Sequence, residues 1–537
     1  MVKSFGDLIQ GFLHTMPKKP LLIYYDRHGN RKEYSYSEFF QKVGQVIRFL
    51  ESQGIQKGDR ILTVMYNKPE QVMIYFAAWS RGVCVVPINT AEDDQRIQFI
   101  LEQSGGKVAF VGTDYRRRIE NILSGSSSQI KLYQVGDNTQ GQMFEGSAGD
   151  WSSFIEGSAE DEALIVYTSG TTGKPKGVLL QQKNMFCDAE AIAEWHQLNE
   201  EVRMMCVLPI HHVNGMVVTL ATPLFCKGTV ILNERFTAQH FWERVSRENV
   251  HIVSVVPTLL EFLLEANEDI SKYPMESFRH FICGAGPLLV ETVIAFEEKF
   301  KIPVIHGYGL SETTCYSCFL PIDLSDTERR RWLSQFGFPS IGMPIKYNEM
   351  AIFNLTGEEL AEGERGEIAI RGQTVMKEYD KRPDANAEAF RHAGGWFMSG
   401  DEGFYQLDGR GRKYFFITGR MKELIIRGGV NISPLEIDEV LRMHKSVQYA
   451  LTIPFENRFY GEEVGAYIVL KKGVSMSERE ILEFCAKHLP FFKRPKVVIF
   501  GQDVPYTSTG KPKRIQLKDQ LKDRLVLYRD VQFREGK

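Results

Sequence analysis

No stretch of this chain stays apolar for the about 18 residues that a membrane-crossing helix needs. The nearest approach, MVVTLATPLFCKGTVIL at 216–232, is interrupted by a proline and a lysine. The first twenty residues, MVKSFGDLIQGFLHTMPKKP, lack the unbroken apolar core of a signal peptide. Phe5, Leu8, Ile9, Phe12 and Leu13 do share one helical stripe, but the opposite face is not rich in Lys or Arg. That favours a helix facing a protein core over one lying on a membrane. An excess of one charge is missing too: 65 Lys and Arg stand against 68 Asp and Glu, for a net charge of −3. Such a balance gives no general attraction to nucleic acid or to an acidic membrane surface. Cysteine is sparse, at eight in 537 residues, which excludes a disulfide scaffold. Cys315 and Cys318 form a lone CxxC without a second pair at metal-ligand spacing, so both read as ordinary thiols in a reducing compartment. Internal repeats and low-complexity linkers are absent as well.

What is present, 43% hydrophobic and 25% charged residues, belongs to a soluble globular protein, here read as cytoplasmic. The length exceeds one ordinary core and predicts two or more domains. Up to about residue 340, the apolar runs RILTVMY, GVCVVPIN, KVAFVG, GTVILN and HIVSVVP read as buried strands. They alternate with amphipathic stretches such as SEFFQKVGQVIRFLESQG, which predicts an α/β fold with mixed sheets covered by helices. From 341 to 420, short glycine-bounded strands (GEIAIRGQTV, GFYQLDG, RKYFFITG) predict a small antiparallel barrel. A helix then starts at Ser433-Pro434, with Glu436 as capping-box partner, inside a small α+β unit. The predicted plan is a large N-terminal domain over 1–420 and a small mobile C-terminal lid over 423–537, hinged near Lys422.

The stretch YTSGTTGKPKGV at 167–178 concentrates hydroxyls, glycines and lysines, a composition suited to phosphate. A Walker A loop needs GxxxxGK followed by Ser or Thr. Here only Thr171 and Thr172 separate Gly170 from Gly173, and Pro175 follows Lys174, so the magnesium-binding hydroxyl has no place. Strand-like runs on both sides make it a loop between strands and not a strand-to-helix turn.

The stretch resembles the signature loop of the adenylate-forming superfamily, which includes acyl-CoA synthetases, peptide-synthetase adenylation domains and beetle luciferases. Further motifs of that family follow in order along nearly the whole chain. They are LPIHHVNG (208–215), CGAGPL (283–288), HGYGLSETT (306–314), GEIAIRG (366–372), SGDEG (399–403), ITGRMKELIIRGGVNISPLEI (417–437) and TSTGKPKR (507–514). The resemblance implies two half-reactions: a carboxylate attacks the α-phosphate of ATP and expels pyrophosphate, then a thiol takes the acyl group from acyl-AMP. The attacking group is already anionic, so the obstacle is charge repulsion, and cations with oriented donors should dominate.

Residue by residue, the resemblance implies that Thr168, Ser169, Gly170, Thr171, Thr172, Gly173 and Lys174 clamp the β- and γ-phosphates. Glu312 stands at the family's magnesium ligand, a hard carboxylate suited to that ion, and Ser311 replaces a phosphate-contacting threonine. Tyr308 would stack on adenine, with Gly284, Ala285 and Gly286 allowing close backbone approach. Asp401 is similar to the aspartate that holds both ribose hydroxyls, and Arg420 adds a donor on the same sugar. Lys511 resembles the lid lysine that reaches between the acid and the α-phosphate. Lys422 falls at the family's hinge, and Gly428 and Gly429 would leave room for a pantetheine arm. One of His211 and His212, by the motif His212, resembles the residue guarding the acyl or thiol entrance, in acid–base work or in shaping the pocket.

GGVNISPLEIDEV is similar to the CoA-ligase branch, so coenzyme A is the expected acceptor. The alternative is a stand-alone ligase loading the phosphopantetheine of an acyl or peptidyl carrier protein, and a catalytically silent AMP-binding protein is more remote. The acid pocket should draw on HHVNG, VVPTLL, CGAGP and GYGLSETTCYSCF. No acid or base is evident there, which favours an apolar aliphatic or aromatic acid, as in fatty acid metabolism. Gly309 would leave the pocket floor open, and Arg329–Arg331 read as a solvated helix face.

Overall fold

The computed structural model describes residues 5–6, 8–9, 16–126, 128–136, 143–144, 155–168, 175–266, 268–505 and 512–534. Three sheets organise it, with 13, 7 and 5 strands. In the largest, strands Pro20–Tyr25, Thr229–Asn233, Arg203–Cys206, Ile252–Val255, His280–Cys283 and Val304–Tyr308 run parallel in that spatial order. Most of their residues are buried, with no alternation of polar and apolar positions, as strands covered on both faces require. The sheet then turns antiparallel through Cys318–Phe319, Ser340–Pro344, Lys413–Arg420, Phe397–Leu407, Gly366–Gly372 and Asn348–Phe353. This last part is the antiparallel unit anticipated after residue 340, and it encloses its own core of Tyr308, Cys318, Ile341, Ile352, Ile368, Ile370 and Phe415. The same hydrogen-bonded ladder joins it to the large sheet.

In the seven-stranded sheet, strands Glu162–Thr168 and Lys176–Gln181 pair antiparallel, with Thr168 opposite Lys176. The signature stretch therefore links two antiparallel strands, as its flanks predicted. Helix Tyr36–Ser52 shows how local signals set the layers. Ser35 and Glu38 form a capping box, while Phe39, Phe40, Val43, Val46, Ile47 and Leu50 are buried. Loss of the cap would cost about 1 kcal/mol, and full burial of a side chain such as Leu50 contributes about 2 kcal/mol. Phe5 meets Phe76, Trp79 and Phe186, and Ile9 is fully buried, so the described part of the N-terminal stripe faces the core. No helix among the described residues is long and apolar enough to cross a membrane.

The third sheet begins at Ile425, after the turn Met421–Glu423, and shares no strand with the others. Helix Pro434–Arg442 lies against the large body. Glu439 Oε1 accepts from the Val290 amide at 3.1 Å, Arg442 pairs with Glu261 at 2.7 Å, and the Ser433 hydroxyl donates to the Thr418 carbonyl. Burial pushes the Glu439 carboxyl up to about 7. Ser433 caps the helix by accepting from the Glu436 amide, but Glu436 does not complete a capping box. Its carboxylate is taken by Lys493 at 2.6 Å, a stronger charge-assisted bond than one to a backbone amide. Arg514 is buried among the Thr452 carbonyl, Asp438 at 2.7 Å and Glu423 at 3.6 Å, and the Lys513 amide donates to the Pro505 carbonyl at 2.7 Å.

The run Arg329–Arg331 is not uniformly solvated. Arg329 is only 12% exposed and pairs with Glu297 at 3.1 Å, whereas Arg330 is 51% exposed. All eight cysteines are free thiols, Cys315 and Cys318 among the buried ones.

Candidate active site

Strands Arg203–Cys206, Ile252–Val255, His280–Cys283 and Val304–Tyr308 point their C-terminal ends the same way. Ligands of open α/β sheets bind at such ends, where loops and not strands meet the solvent. Here the ends lead into LPIHHVNG, the start of helix Pro257–Ala266, GAGPL and GLSETT.

Tyr308 closes the last of these strands. Its hydroxyl donates to Asp401 Oδ2 at 2.6 Å, and Arg420 Nε meets Asp401 Oδ1 at 2.7 Å. Asp401 and Arg420 are cross-strand partners on Phe397–Leu407 and Lys413–Arg420, so register alone makes them neighbours. The carboxylate is buried while the guanidinium is 40% exposed, which leaves the pair open on the cation's side. The Asp401 charge pushes the Arg420 pKa up, and burial together with that charge pushes the Tyr308 phenol well above its usual range.

Glu312 sits in the turn Ser311–Thr313 that follows. Tyr379 donates its hydroxyl to Glu312 Oε1 at 2.8 Å, and the Lys176 ammonium lies 4.7 Å from the centre of the Tyr379 ring. Tyr379 is fixed in turn. Asn386 grips its backbone at 2.7 and 3.0 Å, and the adjacent Asp380 forms a two-pronged pair with Arg60 at 2.8 and 2.9 Å. Burial lowers the Lys176 pKa, and Lys422 adds to this as a neighbouring positive charge while Glu312 opposes it. Lys176, Lys422 and Glu312 thus share one electrostatic neighbourhood.

Ala285 holds a positive φ of 64° between Gly284 and Gly286. A Cβ on Gly284 would stand 2.7 Å from the Gly307 carbonyl and 2.7 Å from the Tyr316 ring. The close approach expected at this glycine is thus already made by the protein itself. Gly309 is corrected likewise. Its Cβ would fall 1.9 Å from the Cys315 carbonyl, so chain fills the position expected to be an open pocket floor. Gly428 and Gly429, at φ 57° and 85°, form the two-residue turn between Ile425–Arg427 and Val430–Ile432. Nothing lies within 4 Å of a Cβ placed on Gly429.

His211 and His212 follow strand Arg203–Cys206 with ring centres 4.4 Å apart. Burial, with His212 next to it, holds the His211 imidazole well below its usual pKa, so it is neutral at physiological pH. Of the remaining expected residues, Ser169, Gly170, Thr171, Thr172, Gly173, Lys174 and Lys511 lie outside the described residues; Thr168 ends its strand beside them.

The sequence reading had not singled out Tyr379 or Lys176. Lys176 lies inside the signature stretch, but expectation stopped at the first lysine. Tyr379 stands in EYDKRP, which carries no compositional signal. Asp188 was missed because it lies on helix Gln182–Trp195, outside the stretches expected to line the pocket. It is fully buried and takes backbone hydrogen bonds from Tyr316, at 3.3 Å, and from Cys315. Burial pushes its carboxyl well above the usual carboxylate range.

Comparison with known proteins agrees with this arrangement. The AMP-binding enzyme family model matches residues 11–380, and the AMP-binding enzyme C-terminal domain matches 436–511. A sulfoacetate–CoA ligase of Cupriavidus necator is 31% identical, over 93% of this chain and 94% of the relative. A long-chain-fatty-acid–CoA ligase of Mycobacterium tuberculosis is 30% identical, over 90% of this chain and 93% of the relative. The crystal structure of ATP-bound MatB from Rhodopseudomonas palustris superposes with a TM-score of 0.84 at 27% identity, covering 97% of this chain and 99% of that one. The chain belongs to the AMP-binding enzyme family. It is an acid–thiol ligase of the adenylate-forming superfamily, with that superfamily's mixed α/β fold.

Proposed function

We propose that this ligase is an acyl-CoA synthetase working in two half-reactions at one site. In the first, an acid's carboxylate oxygen forms a bond to the α-phosphorus of ATP while the bond to pyrophosphate breaks. In the second, the thiol of coenzyme A loses its proton, its sulfur bonds to the acyl carbon, and AMP departs. The observation that supports this most is the set Tyr308–Asp401–Arg420 beside Glu312, at the C-terminal ends of the parallel strands.

In this reading Asp401 accepts from the ribose hydroxyls, with Tyr308 and Arg420 fixing its two oxygens. Lys176 is added to the phosphate side, since its ammonium shares the neighbourhood of Glu312. A lone carboxylate in a turn fits a magnesium ion that takes its remaining ligands from phosphates and water. Tyr379 aims that carboxylate, and magnesium bound there would offset phosphate charge. Lys511 and the signature loop supply the other positive charges, and the small domain turns about Lys422 between the halves. His212 shapes the acid entrance, and the open side of Gly429 gives passage to the pantetheine arm.

The named acids of the two relatives range from sulfoacetate to long-chain fatty acids, so identity near 30% does not choose this chain's substrate. The test is acid-dependent pyrophosphate release over a carboxylate panel, repeated with coenzyme A and with a phosphopantetheinylated carrier protein as acceptor. Pyrophosphate release that needs an acid, followed by thioester formation on free coenzyme A, is the expected result. Transfer to the carrier protein alone would replace coenzyme A in this reading, and no release with any acid would refute it.

A further inference from the structure

Helix Pro434–Arg442 has two faces of unlike chemistry. Ile437 and Leu441 belong to the apolar core of the third sheet, with Val440 packed against it. Leu435, Glu439 and Arg442, spaced four and three residues apart, share the other face and meet the large body. Leu435 packs against the main core. Glu439 Oε1 accepts from the Val290 amide at 3.1 Å, and Arg442 pairs with Glu261 at 2.7 Å. The Thr292 hydroxyl donates to the same Glu261 oxygen at 3.3 Å. Two helices of the large body, Pro257–Ala266 and Val290–Phe300, are thus held from one side by charged groups.

The Glu439 bond is a helix cap delivered across the seam. Val290 is the first residue of its helix, and such an amide has no partner within the helix. Leu289, at the N-cap, offers no side-chain oxygen. A carboxylate there also meets the positive end of the helix dipole. The bonds on this face are ones that water can replace. Opening would rehydrate Glu439, Arg442 and Glu261, and the desolvation cost of enclosed charges leaves such a contact with little net hold. The face of Ile437 and Leu441 has no such exchange, so in any parting of the seam the helix stays with the third sheet.

We propose that Leu435, Glu439 and Arg442 form a releasable latch between the small domain and the large body, closed in this structure, whose hold weakens as pH rises. The use of the latch rests on the acyl-CoA synthetase reading, in which the small domain turns between the half-reactions. Around Glu439 stand Asp438 and Arg442 on its own helix and Glu291 on Val290–Phe300. Beyond Arg442 lie Glu261 and Tyr449, the latter also facing Glu265. Strand Lys413–Arg420 meets the helix through the uncharged Thr418 carbonyl at Ser433, and Lys493 takes Glu436. Burial, more than the charges of Asp438 and Glu291, raises the Glu439 carboxyl to about 7, against the Val290 amide and Arg442. A carboxyl open to water titrates at about 4.3. The closed latch therefore binds more protons than the open one, so closure is favoured below about pH 7 and weakens above it.

Single-amide hydrogen–deuterium exchange on the full chain reads the latch at Val290, with the Phe296 amide, inside the same helix, as the folding control. Corrected for the intrinsic pH dependence of exchange, Val290 protection should fall about tenfold between pH 6 and pH 8 in wild type. Glu439→Gln keeps an acceptor oxygen and cannot ionise, so its Val290 protection should stay constant over that range. Glu439→Ala should lose protection at Val290 and keep it at Phe296. Arg442→Met leaves the cap in place and loosens the seam, so Val290 protection should fall by about tenfold or more. Constant wild-type protection, an equal fall in Glu439→Gln, or full protection in Glu439→Ala and Arg442→Met would overturn the latch. In the synthetase, Glu439→Ala and Arg442→Met should change the ratio of acid-dependent pyrophosphate release to thioester formation from supplied acyl-AMP by about tenfold. An unchanged ratio would make the seam static and overturn the latch as well. If no acid releases pyrophosphate from wild type, the synthetase reading fails, and exchange at Val290 still decides the latch.

Discussion

Replacing Asp401 by Ala gives the sharpest separation between a ribose acceptor and a structural brace. The carboxylate is 4% exposed, and each oxygen already takes one bond, from Tyr308 at 2.6 Å and from Arg420 at 2.7 Å. Each oxygen still has acceptor capacity, and a hydrogen bond to a charged group contributes about 1.5–3 kcal/mol. Because those oxygens are shared, the lower figure applies. Two ribose hydroxyls then contribute about 3 kcal/mol, roughly two orders of magnitude in affinity. Calorimetric titration should show wild type binding ATP about a hundredfold more tightly than 2′,3′-dideoxy-ATP, with Asp401→Ala binding both alike. Stability should fall as well, by about 1–3 kcal/mol, since a buried phenol loses its acceptor. That second effect is common to both nucleotides and cancels in their ratio. A variant that weakens both nucleotides equally, keeping the wild-type preference, would refute the ribose role and leave Asp401 as a brace.

Lys511→Ala should lower acid adenylation by about 3–4 kcal/mol of barrier while sparing thioester formation from supplied acyl-AMP; equal loss of both halves would sink the two-conformation reading. Tyr379→Phe frees the Glu312 carboxylate and should lower kcat/KM for magnesium-ATP about tenfold, with ATP binding in the absence of magnesium unchanged. An equal loss without magnesium would show that Tyr379 acts on packing and not on the metal site. Buried His280 and His306 are held down to about 3 and about 4, by burial and, for His280, by the charge of Arg279. Their folded-state values lie below the unfolded one, so their stability contribution is complete above about pH 6.5 and is lost as pH falls toward 4. At pH 5 each should cost about 2 kcal/mol, read as a falling urea midpoint, and His306→Gln should flatten that fall by about one proton. An unchanged slope in His306→Gln would contradict the assignment.

The strands at RILTVMY, GVCVVPIN, KVAFVG, GTVILN and HIVSVVP were legible because short apolar runs rich in β-branched residues have few other uses in a globular chain. Arg203–Cys206 and His280–Cys283 are too short and mixed to announce themselves. The antiparallel unit was legible through its turn glycines. Its continuity with the large sheet was not, since that depends on Ser340–Pro344 pairing with Cys318–Phe319, a long-range choice without a local pattern. Of the proposed nucleotide site, Tyr308, Glu312, Asp401 and Arg420 could be named from motifs, and the structure brings Tyr308, Asp401 and Arg420 into direct contact. Tyr379 could not be named, because its placement follows from the pairing of Tyr379 with Val178 and from the Arg60–Asp380 ion pair, both between distant segments. Gly309 was misjudged for the same reason: smallness is visible in a sequence, and the neighbour occupying the space is not. Tyr316 stands within one of the quoted stretches, but its hydrogen bond to Asn214 joins segments about a hundred residues apart, which no local pattern announces.

Arg514 bears on the rotation proposed for the small domain. Its guanidinium ties the chain just past Lys511 to Asp438 and Thr452 and also to Glu423, one residue beyond Lys422. If the small domain turns about Lys422 as proposed, Glu423 and Arg514 move together, with the arm braced at its pivot. In that proposal, whether Lys511 reaches the site becomes a matter of the whole domain's angle. Cutting the brace, as in Arg514→Ala, would turn a crank into a loose string, with Lys511 intact in the sequence and its timing lost.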